Sequence, residues 1–322
     1  MKLIDIYKKA IETGMRHDPR GSDPVLKALK RTEKAYDDQK PGEKELFDRE
    51  ALSNPYSDSR ILYGRDDADI RTIMVGIDIE VGEVLLAETL GRRGTPVDLI
   101  LAHHPEGTAY ANLYEVMNMQ PDILQQFGVP INVAEGLMES RVREVERRLM
   151  PLNHTRAVDA ARLLDIPFLC IHTPADNMVV NFLQRLFDES RPVTLGDLVD
   201  QLRGIPEYRS AAVQGSGPKI LVGSKSRTAG KIFVDMTGGT EGSKDVFARL
   251  VAAGVNTIVG MHISEDHRKE AEKHHMNVVI AGHISSDNLG VNLLLDEITR
   301  EAGLQIIGCS GFTRVERNSP PV

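Results

Sequence analysis

From Arg71 onward the chain alternates short β-branched runs with longer helical stretches, and this rhythm restricts the fold of the 322 residues more than any other feature. The strand-like runs are TIMVGID, VDLILAH, PFLCIH, KILVGS, KIFVDM, NTIVGM, NVVIAG and LQIIGC. Between them lie stretches such as EVGEVLLAETLGRRG, NMVVNFLQRLFDE, SKDVFARLVAAG, SEDHRKEAEKHH and DNLGVNLLLDEITREAG, several closed by the glycine that commonly ends a helix. Parallel neighbours in a sheet need a long crossover, so strand–helix alternation predicts an α/β fold with largely parallel sheets. The stretch 109–165 departs from the rhythm: INVAEGLMESRVREVERRLM and HTRAVDAARLLD read as consecutive helices, an insertion or a long crossover. VQGSGPK, Val213 to Lys219, offers a break between two lobes. Residues 1–70 are polar and broken by DPRGSDP and SNPYSDS, a helical extension packed on the body. Its first helix is MKLIDIYKKAIETGM, with Leu3, Ile6, Tyr7, Ala10 and Ile11 on one face. The expected organisation is therefore 1–70, 71–215 with the helical insertion, and 216–322. No low-complexity tract or short internal repeat stands out.

In an open α/β sheet, ligands bind beyond the carboxyl ends of the strands. Four such positions carry histidine here: AHHPEG, CIHTPADN, VGMHISED and IAGHISSDN. Two adjacent imidazoles at a buried strand end pack poorly but ligate metals well. In GHISSD, His283 and Asp287 are four apart at a helix start, so both side chains share one face. HTPAD brings His172 and Asp176 together in a turn, with Asp176 either a ligand or a helix cap. Only two cysteines are present, Cys170 and Cys309, both in strand-like runs and without CxxC spacing. Such usage fits a reducing cytoplasm. An imidazole and carboxylate set without thiolate suits catalytic Zn, Fe, Mn, Co or Ni. With His103, His104 and His283 neutral and Asp176 and Asp287 each negative, two divalent ions would leave a net positive site. That favours an activated water and a small anionic substrate, as in two-metal hydrolases. The formal charge of −8 argues against nucleic acid or an anionic membrane as partner, and no run approaches the 18 apolar residues of a membrane span. The expectation is a cytoplasmic protein.

The order VDLILAHHP, HTPAD, MTGGTEGS, GHISSDNLG resembles the Nif-three-like family, often labelled GTP cyclohydrolase I type 2. The resemblance covers about residues 72–314. It implies a two-lobed α/β fold with a dinuclear metal centre between the lobes, assembled as a toroidal homohexamer. By resemblance the ligands are His103, His104, Asp176, His283 and Asp287, holding two divalent ions per chain, with Zn, Fe and Mn the first candidates. Asp287 stands where the family pattern has glutamate, one methylene longer.

Other residues take supporting roles. His172 is read as orienting Asp176 or a bound water, or as strand-end packing; Glu106 as a general base or an exposed glutamate beside the proline turn; and His262 and His267 as groups that bind a substrate phosphate or donate a proton, or as solvated surface histidines. Asp78 either supports the site from behind or caps the following helix. MTGGTEGS offers backbone N–H groups to an anion. The leading functional expectation is a metal-dependent hydrolase acting on a phosphorylated or nucleotide-like small molecule, cyclohydrolase-like by resemblance. The alternative is a non-catalytic metal-binding or scaffold protein. The surplus of polar groups around the ligands favours catalysis.

Overall fold

The computed structural model describes residues 1–300 and 303–317. Nine strands form in chain order: β1 (Arg60–Tyr63), β2 (Thr72–Gly76), β3 (Leu99–Ala102), β4 (Phe168–Cys170), β5 (Lys219–Val222), β6 (Ile232–Asp235), β7 (Thr257–Gly260), β8 (Asn277–Ile280) and β9 (Gln305–Cys309). They build two sheets, ordered β1-β4-β3-β2-β9 and β5-β8-β7-β6. Within them β1 pairs with β4, and β5 with β8, in antiparallel fashion; every other pairing is parallel. The central strands β2, β3 and β4 are buried throughout, as the unbroken apolar runs require of a sheet covered on both faces.

The two sheets share one plan, which no run of residues announces. Each has an antiparallel edge strand with a register shift, at Ile61/Tyr63 in one and Ile220/Val222 in the other. Each then runs through three parallel strands in the same order into a long helix, Thr173–Ser190 after β4 and His283–Thr299 after β8. The repeat lies in topology, not in sequence similarity. It also places β9 differently from its position in the chain: LQIIGC, grouped by sequence with the second lobe, pairs with β2 in the first sheet. Its parallel register against β2 gives that sheet a fifth strand. The free edge of β6 in the other sheet is instead covered by Gln184, which accepts from Val234 N and donates to Ile232 O.

Residues 1–70 are more deeply built in than an extension. β1 completes the first sheet, and the helix Leu3–Arg16 buries Leu3, Ile6, Tyr7, Ala10 and Ile11 against the two long helices. Those helices pack closely on each other. At their crossing, Gly290 lies against the backbone of Ala175, where a Cβ would come within 3.0 Å of the Ala175 carbonyl carbon and closer still to its oxygen. The insertion forms the predicted helices, Ile131–Leu149 and Arg156–Leu163, preceded by short helical turns. It bridges to the second sheet: Gln120 Nε2 donates to the carbonyls of Gly238 (2.7 Å) and Thr240 (2.9 Å), and Arg141 Nε to that of Glu241. Of the predicted final helix, Glu301 and Ala302 lie outside the described residues, as does the segment 318–322.

Candidate metal centre

The carboxyl ends of both sheets converge on one cluster. His103 and His104 follow β3; His172 follows β4 at the N-cap of the helix Thr173–Ser190, and Asp176 stands in its first turn. From the other sheet, His283 opens its helix and Asp287 lies one turn on. Three sets of ligand atoms lie within 4.8 Å of one another: His103, Asp176 and Asp287; His104, His283 and Asp287; and His103, His104 and His172. Asp287 belongs to two of them. Its Oδ1 is 3.5 Å from His103 Nε2, while its Oδ2 is 3.4 Å from His104 Nε2 and 3.7 Å from His283 Nε2.

Three imidazoles are aimed by their outer nitrogens. His103 Nδ1 donates to Ile171 O at 3.2 Å, His104 Nδ1 to Asp78 Oδ1 at 2.6 Å, and His172 Nδ1 to Asp58 Oδ2 at 2.8 Å. With the proton held on Nδ1, the lone pair on Nε2 points into the cluster, the arrangement that fixes the tautomer of metal-ligating histidine. His103 Nε2 and both carboxylate oxygens of Asp287 are buried without a hydrogen-bond partner. Buried polar atoms almost always have partners, and a cation among these three would satisfy all of them. Donor set and orphaned atoms therefore fit a divalent metal.

The electrostatics agree. Burial, reinforced by Asp287 and Asp58 against the pull of His103, pushes the Asp176 carboxyl well above the usual carboxylate range. Burial would raise Asp287 too, but the imidazoles of His103, His104 and His283 hold it low. For His104, burial favours the neutral form and is outweighed by Asp287 and Asp78, which lift its pKa to about 9. A proton is the smallest cation this cluster can hold; the same carboxylates would stabilise a metal in its place. Burial, aided by the neighbouring imidazoles, takes His283 down to about 4, ready to ligate at neutral pH.

All five expected ligands thus meet, and His172, expected beside them, meets them too: its Nε2 is 3.7 Å from Asp176 Oδ2. Asp176 is no helix cap, since His172 holds that position. Asp78 supports His104 directly. Glu106 lines the adjoining cleft, where burial lifts its carboxyl to about 7 against the opposing charge of Arg156. The His262 ring lies 4.9 Å from that of His283. His267 differs from expectation. It is buried with both nitrogens engaged, Nδ1 at 2.7 Å from Ser264 Oγ and Nε2 at 3.1 Å from Gly242 O. It clips the glycine-rich loop to its helix, which leaves neither nitrogen free to move a proton. The carbonyls of that loop hold the insertion, as Gln120 and Arg141 show.

Asp58 was not anticipated. Fully buried in the polar segment before β1, it also accepts from Thr173 Oγ1 at 2.6 Å, while the neighbouring Ser59 Oγ accepts from His172 N. Nothing in SNPYSDSR distinguishes it from a loop aspartate; only the pairing of β1 with β4 brings it behind His172.

A cavity of about 470 Å³ opens onto the cluster, walled by both lobes and the insertion. No family model matches the chain, and no curated protein does. Among solved structures, the chain is similar to a NIF3 superfamily protein from Sphaerobacter thermophilus, with 30% identity over 79% of this chain and 91% of the other, at a TM-score of 0.69. It is also similar to reduced HcgD from Methanocaldococcus jannaschii, with 16% identity over 83% and 94% of the two chains and a TM-score of 0.47. By the first of these likenesses, over nearly the whole of that protein, the chain belongs to the NIF3 superfamily.

Proposed function

We propose that the protein is a metal-dependent hydrolase in which two divalent ions, Zn, Fe or Mn, serve attack of water on a phosphorylated or nucleotide-like small molecule. The observation that carries this reading is the shared Asp287: one buried carboxylate turns its two oxygens to different histidines at the floor of an open cleft. A structural metal site is closed, whereas this one faces a cavity. His103, Asp176 and Asp287 would hold one ion and His104, His283 and Asp287 the other, with His172 beside the first. When bound, such ions lower the pKa of water and polarise the scissile group. The chain's own residues do the rest. Asp58, Asp78 and the Ile171 carbonyl keep the Nε2 lone pairs directed inward. Glu106, with its carboxyl near 7, is suited to take and return a proton at neutral pH. Among the described residues no helix is long and apolar enough to cross a membrane. Cytoplasmic placement and a homohexamer, the assembly the family resemblance implies, complete the reading and are checked by fractionation and native mass measurement.

The test is elemental analysis of protein purified without a metal-affinity tag, then a screen of chromogenic phosphoesters and nucleotides against wild type, His104→Ala and Asp287→Ala. About two ions per chain and metal-dependent turnover lost in both variants are expected. Full metal content with no turnover of any substrate would refute the hydrolase and leave a metal-binding or scaffold protein.

A further inference from the structure

Away from the cluster the cleft changes character. One wall is apolar, with Leu113, Ile123, Leu124 and Met138 from the insertion opposite Phe233 and Phe247 of the second lobe. The charged side chains on the other walls are mainly carboxylates, and among the described lining residues Arg156 is the one guanidinium. Most of these acids are engaged. Asp78 holds His104, Glu241 accepts from Ser264 N at 2.6 Å, and Glu106 faces Arg156. The Asp235 carboxylate makes no hydrogen bond or ion pair with any described residue and is open to the cleft.

The packing of the sheet does not require a carboxylate there. Asp235 ends β6 opposite Gly260 of β7; the matching residue in the first sheet, at the end of β2 opposite Ala102, is Gly76. Two residues beyond Asp235, Thr237 Oγ1 donates to Asn177 Oδ1 at 2.7 Å, and Asn177 is the neighbour of Asp176. The free carboxylate and the cluster therefore open on the same cavity. An exposed carboxylate that faces an apolar wall and has no partner of its own is free to take its counter-charge from a ligand.

Resting on the hydrolase reading above, we infer that the substrate is bipolar: an apolar ring body with its anionic reacting group at the cluster and a protonated amine or other N–H donor on Asp235. Asp235 is then a specificity-determining residue. Polyanions are disfavoured, because beyond the cluster they meet carboxylates.

The test uses zinc-loaded protein with two pairs of probes. Turnover is compared for phenyl phosphate and para-(aminomethyl)phenyl phosphate; binding is compared for benzylamine and its neutral analogue benzyl alcohol by ligand-observed NMR. The cationic member of each pair is expected to be favoured about fivefold, the upper range for a partly exposed ion pair. Asp235→Asn abolishes both preferences and Asp235→Glu, which keeps the charge, retains them. Absence of preference in wild type, or its survival in Asp235→Asn, overturns the inference even where both esters are hydrolysed. If neither ester is hydrolysed the hydrolase reading fails, while a benzylamine preference that depends on Asp235 still supports the cationic subsite.

Discussion

Replacing Asp58 with alanine removes the carboxylate that positions His172 without touching any atom of the cluster. Three donors converge on it inside the protein: His172 Nδ1 at 2.8 Å, Thr173 Oγ1 at 2.6 Å and Ser59 Oγ at 3.2 Å. A buried hydrogen bond left unmade costs about 1–3 kcal/mol, with bonds to charged groups at the upper end. The Ser59 contact is long, and deleting a buried charge returns part of its desolvation cost. We therefore take about 3 kcal/mol for the remaining pair, which in a chain of this size lowers the melting temperature by roughly 4–5 °C. His172 then loses its fixed tautomer, and loss of such an outer partner typically weakens metal binding by about 10–100-fold. The assay is thermal unfolding followed by zinc competition against a chromogenic chelator. There is also a pH signature. Burial would raise the Asp58 carboxyl, but His172, Thr173 and Ser59 hold it below its ordinary 3.8. A lowered folded-state pKa means that this stability is present above the unfolded value and is lost as pH falls below about 4. Wild type should thus lose its advantage over Asp58→Ala in acid. An Asp58→Ala protein unchanged in both melting temperature and zinc affinity would refute the assigned role.

Other expectations follow from the same geometry. Zinc at a hundredfold excess over its dissociation constant stabilises the native state by about 2.7 kcal/mol, roughly 4 °C here; Asp287→Ala, which removes the candidate ligand shared by two of the three sets, should show no such rise by scanning fluorimetry. Gly290→Ala forces a methyl group against the Ala175 backbone, so the helices carrying Asp176 and Asp287 must part; a loss of about 1–3 kcal/mol and weaker zinc binding are expected, and a neutral result in both would deny the close crossing. Gln120→Ala deletes both bonds to the glycine-rich loop and should expose residues 237–243 to limited proteolysis. Asp235, raised to about 6 by desolvation at the cleft wall and by Glu241, is charged above that pH and neutral below it. The benzylamine preference should accordingly disappear as pH falls through 6.

The strands and most helices were legible because they rest on local chemistry. β-branched runs of five or so residues, glycine stops and the helical spacing of Leu3, Ile6, Tyr7, Ala10 and Ile11 are properties of neighbours in the chain. So is the pairing of His283 with Asp287, which one helical turn guarantees. The candidate ligands could be proposed together from sequence because their motifs resemble those of the family and because strand ends of an α/β sheet share one side; the structure brings these side chains together. What sequence could not assign was any relation spanning distant segments. The placement of β9 beside β2, the common plan of the two sheets and the turning of the insertion onto Gly238 and Thr240 are decided by which surfaces bury each other. Asp58 joins the site through the pairing of β1 with β4, 114 residues away from the histidine it holds. His267, promising as a strand-end histidine, is consumed by a loop that folds back on it. Residue type and spacing determined the chemistry available to this chain; which imidazole faces the cleft and which is spent on structure depended on hydrogen-bond partners that only the packed tertiary fold supplies.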